Sequence, residues 1–135
     1  MARDFVKDST IDKYRLDDEA SVNANHIAFY GEKLAKIKTE VDYAKRRVAK
    51  VYGEVDLEYR RNPPADLKVT EKVMESLVVT DKRVEEAEQA YIEAKAELNI
   101  LEVAMEAFRD KSKDIGNLTT LWSGGYFSVK QAEKL

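Results

Sequence analysis

The stretch IAFYGEKLAKIKTEVDYAKRRVAKVYGEV, residues 27–55, sets Ile27, Tyr30, Leu34, Ile37, Val41, Ala44, Val48, Val51 and Val55 at alternating spacings of three and four. A strand would repeat every second residue; a three-four repeat is the heptad stripe of one helix packed along another. No proline interrupts the run before Asn62-Pro63-Pro64. Tandem prolines lack amide donors and clash with the preceding turn, so the helix is expected to end near Arg61.

A second stripe answers the first. Val84, Ala87, Tyr91, Ala94, Leu98, Leu101, Met105, Phe108 and Ile115 follow the same spacing, missing only Ser112. Arms of about 30 to 35 residues reach roughly 45 to 52 Å at 1.5 Å per residue, and the economical way to bury both stripes is to fold one arm back on the other. The expectation is an all-α chain built on a long antiparallel, coiled-coil-like helical hairpin. Its parts are an N-terminal arm (1–20), a first long helix (21–61), a linker (62–80), a second long helix (81–122) and a C-terminal segment (123–135). Thr70 and Asp81 are candidate N-caps, so the linker should hold a short helix over about 71–78.

Composition agrees. In 135 residues, 36% are charged and only five Gly and two Pro occur, which fits a helical domain. No run approaches the roughly 20 apolar residues that cross a bilayer, and Met-Ala-Arg-Asp-Phe-Val lacks a secretory layout, so a cytoplasmic protein without membrane contact is expected. Without Cys there is no disulfide, thiolate zinc site or cysteine nucleophile. His26 is the only histidine; a catalytic or metal-ligating His needs partners the chain does not supply, and it reads as an ordinary helix residue. Glu93 and Glu97 share a helical face without the Glu-x-x-His pairs of di-metal bundles. Ser123-Gly124-Gly125 holds too little of a phosphate loop to count. No catalytic residue, cofactor or metal is expected, and the chain reads as non-enzymatic.

Charge is divided between the arms. Gly31 to Arg61 has nine Lys or Arg against six acids, whereas Asp81 to Asp110 has four against nine. This asymmetry should set pairing and orientation, with the apolar seam supplying stability. At the N-terminus, Asp17-Asp18-Glu19 suits the positive end of a helix, and residues 1–20 read as a docked arm. At the other end Leu118, Leu121, Trp122, Tyr126 and Phe127 crowd around a helix-breaking Gly124-Gly125. A two-helix hairpin has a narrow core, and Phe29, Tyr52, Leu57 and Tyr59 fall off its seam. Either the terminal segments cover these groups or the chain self-associates; a homo-oligomer, with the C-terminal cluster as interface, is the expectation.

On the first arm Lys36, Tyr43, Arg46, Lys50 and Arg60 point away from the seam, flanked by Lys45 and Arg47, with Arg61 at the end. No acid occurs from Tyr43 to Tyr52. A cationic ridge holding a tyrosine can follow a phosphate backbone and offer a face for base stacking, the chemistry of single-stranded DNA binding. The bland alternative is a solvated helix face, and the sequence pI of about 5.4 favours it.

The order of features also resembles a known family. Asp-Ser-Thr-Ile-Asp-Lys-Tyr (8–14), Glu19-Ala20 with Asn23 and Asn25, Ala28-Phe29-Tyr30, a basic helix closing on Asp56-Leu57-Glu58-Tyr59, a broken linker and a second long helix are together similar to the phage recombination mediators of the UvsY type. The similarity spans most of the chain. It implies a non-enzymatic accessory of homologous recombination: a ring-like homo-oligomer that binds single-stranded DNA and loads a RecA-like recombinase onto strands covered by single-strand-binding protein. One departure stands out. The family's Lys-x-Arg-Leu-Asp-Tyr-Tyr stretch, associated with DNA contact, aligns with Glu54 to Arg60, so both basic positions are acidic here. DNA contact would then fall to Arg46, Lys50, Arg60 and Arg61, and the family's assembly segment would map onto Leu118 to Phe127. The competing reading is a helical adaptor or phage structural protein whose basic face docks an acidic protein.

Overall fold

The computed structural model describes residues 5–64, 68 and 70–126. Its order is α1 (Phe5–Asp8), α2 (Leu16–Arg61), α3 (Glu71–Val79) and α4 (Lys82–Ser123). The fold is all-α, and its two long helices pair antiparallel. The first long helix begins at Leu16, five residues before the expected point, and ends at Arg61. Asp17, Asp18 and Glu19 fill that first turn, where carboxylates meet the positive end of the helix dipole. Every residue of the first stripe is buried or half-buried, and so is every residue of the second except the anticipated gap at Ser112, which is exposed.

Two compact units result, one from Met1–Leu34 with Ile100–Leu135 and one from Ala35–Asn99. The first is centred on Tyr30, Ala104, Met105 and Phe108, with Phe5, Ile27, Leu34 and Leu101 packed around them. The Tyr30 and Phe108 rings lie 4.9 Å apart. Phe108 is wholly buried, a side chain whose removal from water contributes about 2 to 3 kcal/mol. The N-terminal arm docks here as expected, and polar groups hold it. Lys111 Nζ donates to the Asp8 carbonyl at 2.6 Å and pairs with Glu19 at 2.9 Å, and Trp122 Nε1 donates to the Lys13 carbonyl at 2.8 Å.

The second unit packs Val55, Val78 and Val84 together, with Val51 and Tyr59 against them. The α3 helix exists because its cap and inner face both fit. Thr70 accepts from the Val73 amide at 3.2 Å, and Met74 and Val78, one turn apart, are buried. Asp81 then caps α4: its side chain accepts from the Arg83 amide at 2.9 Å and its carbonyl from Glu85 at 3.0 Å. The α4 helix stops at Ser123, where Gly125 takes a φ of 77°, the left-handed conformation that ends helices.

Candidate nucleic-acid interface

The seam of α2 fixes which side chains face outward, so the ridge follows from the heptad. Lys36, Tyr43, Lys45, Arg46, Arg47, Lys50, Arg60 and Arg61 are all exposed and all belong to the second unit. Tyr43 is 66% exposed, a ring open to stacking.

The cations are not equivalent. Glu54 sits one turn beyond Lys50, with the carboxylate 3.9 Å from its ammonium. Asp56 holds the Arg60 guanidinium at 3.0 Å, and Glu71 takes its other edge in two bonds of 3.0 and 2.9 Å. Those hydrogen bonds, Glu71's above all, raise the Arg60 pKa and lower that of Glu71. Glu54 and Asp56 thus each take up a cation toward the end of the ridge. Among the described residues no ion pair engages Lys45, Arg46 or Arg47, and the uncompensated charge is concentrated there. Arg47 also edges a cleft of about 380 Å³ with Glu54, Arg83 and Glu86.

The C-terminal candidates separate. Leu121 and Tyr126 are exposed and Leu118 is half-buried. Trp122 is spent within the chain: beside its bond to Lys13, its ring meets Tyr14 edge-on at 6.0 Å. Phe127 lies outside the described residues. Trp122 and Tyr14 also line an open cleft of about 510 Å³, together with Ala20 and Ile115.

Sequence reasoning missed a buried polar cluster in the first unit. Asn23 Nδ2 donates to the Phe108 carbonyl at 3.1 Å and to Ser112 Oγ at 2.8 Å, so Ser112, the gap in the second stripe, is matched by a polar residue on the first. His26, 5% exposed, lies tilted at 45° against Phe108 with ring centroids 5.4 Å apart, and its Nε2 is 3.9 Å from an Asp8 carboxylate oxygen. Lys111 is only 4% exposed. The available signal was the stripe itself, since Asn23, His26 and Lys111 continue the buried faces of the two helices.

Among the described residues no cluster of three or more His, Cys, Asp or Glu is placed to hold a metal, and no helix is long and apolar enough to cross a membrane. No protein-family model and no curated protein matches the chain. A solved structure does: the crystal structure of the bacteriophage T4 recombination mediator protein UvsY superposes with a TM-score of 0.73 at 20% identity, over 88% of this chain and 93% of that one. At that identity the likeness is one of fold, and the chain has the helical fold of that recombination mediator.

Proposed function

We propose that this protein is a recombination mediator that binds single-stranded DNA along the α2 ridge, acts as a homo-oligomer, and helps load a RecA-like recombinase onto strands held by single-strand-binding protein. The observation that carries the reading is the acid-free run from Tyr43 to Tyr52, whose basic residues are all exposed, in a chain with the fold of a phage recombination mediator. Arg46 and Lys50, one turn apart on the outer face, can meet phosphates with Lys45 and Arg47 at their flanks while Tyr43 takes a base, a sequence-indifferent mode. Arg60 and Arg61 extend the ridge, with Lys50 and Arg60 weakened by their carboxylate partners. The protein works by binding alone, in the cytoplasm.

The test is fluorescence anisotropy of a labelled single-stranded oligonucleotide at low and moderate salt. Affinity that falls steeply with salt and ignores base sequence supports the reading. Absence of binding at low salt transfers the ridge to an acidic protein partner, the role of a helical adaptor or phage structural protein.

A further inference from the structure

The chain has one histidine, and the fold buries it. His26 lies on the stripe Glu19, Asn23, His26 and Tyr30 of α2, spaced by four, three and four, so these side chains share one face. Imidazole is the side chain whose ordinary titration falls between about pH 5 and 8. A buried one takes or loses its proton according to the charges packed against it.

Three helices of the first unit meet at this face. Among the described residues the ionisable groups they bring to it are Asp8 from α1, Glu19 from α2 and Lys111 from α4; Lys7 and Asp12 nearby are exposed. Lys111 and Glu19 pair at 2.9 Å and balance each other. Asn23, one turn before the histidine, donates its amide to the Phe108 carbonyl and Ser112. The Asp8 carboxylate lies 3.9 Å from His26 Nε2, the two side chains being 21% and 7% exposed. That distance is too long for a hydrogen bond from a neutral ring. A protonated ring makes an ion pair across it, shielded enough that salt screens it little.

Asp8 is also where the N-terminal arm is held. Its carbonyl accepts from Lys111 at 2.6 Å, and Phe5, one turn earlier, packs against the cluster of Tyr30 and Phe108. We infer that His26 and Asp8 form a pH-operated latch: a proton on the imidazole draws the Asp8 carboxylate in and seals the arm on the first unit, and its loss loosens the arm. Because the proton favours the docked arm, the added stability is complete below the free histidine value of about 6.5. It is lost as pH rises through the higher value of the docked state. The Lys111 bond does not involve the histidine, so the latch tunes closure of the arm and does not create it. Loosening uncovers the seat of Phe5 on the core of the first unit.

The experiment is amide hydrogen exchange of the full chain from about pH 5.5 to 8, corrected for intrinsic exchange, with the imidazole followed by NMR. A single histidine gives one unambiguous signal. Protection over residues 5–15 should be about tenfold greater at the acid end than at the alkaline end, the effect of a shift of about one unit. Protection of α3, in the second unit, should stay level. Asp8→Asn keeps the shape of the side chain and removes its charge; it should flatten the pH dependence of the arm and move the imidazole midpoint downward. His26→Gln should flatten the dependence as well. Arm protection that ignores pH or grows as pH rises in the native chain would overturn the latch, and so would an imidazole midpoint unchanged in Asp8→Asn. Should His26→Gln fail to fold, Asp8→Asn decides by itself, because it alters only the charge of a partly exposed residue on the arm.

Discussion

The Tyr59 hydroxyl donates to Asp81 Oδ2 at 2.8 Å, tying the last turns of α2 to the residue that caps α4. Asp81 does several jobs at once. It caps the helix, accepts from the Arg83 guanidinium at 3.0 and 3.1 Å and receives Tyr59. The Arg83 bonds, foremost, and the Tyr59 bond hold its carboxyl well below the usual carboxylate range, against a burial effect that pushes it up. The same contact raises the Tyr59 phenol.

Asp81→Ala should therefore lower stability by about 1 to 2 kcal/mol at neutral pH, the range for a lost helix cap. Because the folded-state pKa is depressed, the contribution is complete above the unfolded value near 4 and disappears as pH falls through the lower, folded one. Urea midpoints of native and variant proteins should converge in strong acid; a difference as large there as at neutral pH would show that the carboxylate charge is not what matters.

Lys111→Ala should cost about 3 kcal/mol, since removing one member of a buried pair strands the other. Glu19 would lose its cation and the Asp8 carbonyl its donor, freeing the arm that carries Phe5. Hydrogen exchange should quicken over residues 5–15 before it does in the second unit. Equal acceleration in both would mean the arm is not a separate element.

Most of the helical frame was legible because heptad spacing, tandem prolines and cap residues are local signals. Val41 to Val55, Pro63-Pro64, Thr70 and Asp81 each act through neighbours in sequence. Contacts that depend on pairing were not legible. Nothing local says that Asn23 will meet Ser112, that Lys111 will reach back to Asp8, or that Trp122 will be taken by Lys13. The charge asymmetry is a matter of composition, and the pair Glu58–Arg83 takes its cation from the acidic arm and its anion from the basic one. The ridge residues were identifiable because exposure follows from the seam; their unequal freedom was not, since the clasp of Glu71 on Arg60 crosses the linker.

Leu121→Asp should weaken self-association while leaving helicity and the arm intact, as Leu121 is exposed and Trp122, not Leu121, anchors Lys13. Deleting residues 117–135 would confound the two by removing that anchor. Sedimentation velocity on the point variant decides: an unchanged mass removes the C-terminal cluster from the interface.

Tyr43→Ala should reduce single-stranded DNA affinity by roughly 1 to 3 kcal/mol if a base stacks on the ring, and leave the thermal midpoint nearly unchanged, because the side chain stands in solvent. Affinity held at the native value would mean the ridge binds through charge alone.

Glu71→Gln should release one edge of Arg60 and tighten oligonucleotide binding modestly at low salt, since a freed guanidinium is added to the ridge. Affinity lower than native would show that Glu71 organises the end of the ridge instead of screening it.

The most direct test of the ridge is the affinity of Arg46→Glu/Lys50→Glu for a labelled single-stranded oligonucleotide across a salt series, beside the native chain and Glu88→Lys/Glu93→Lys. The ridge variant should lose affinity at low salt, and its dependence of log K on log salt should be shallower by about 0.7 for each phosphate contact removed. The α4 variant, with its ridge whole, should keep both affinity and slope. Native affinity and an unchanged slope in Arg46→Glu/Lys50→Glu would contradict the account.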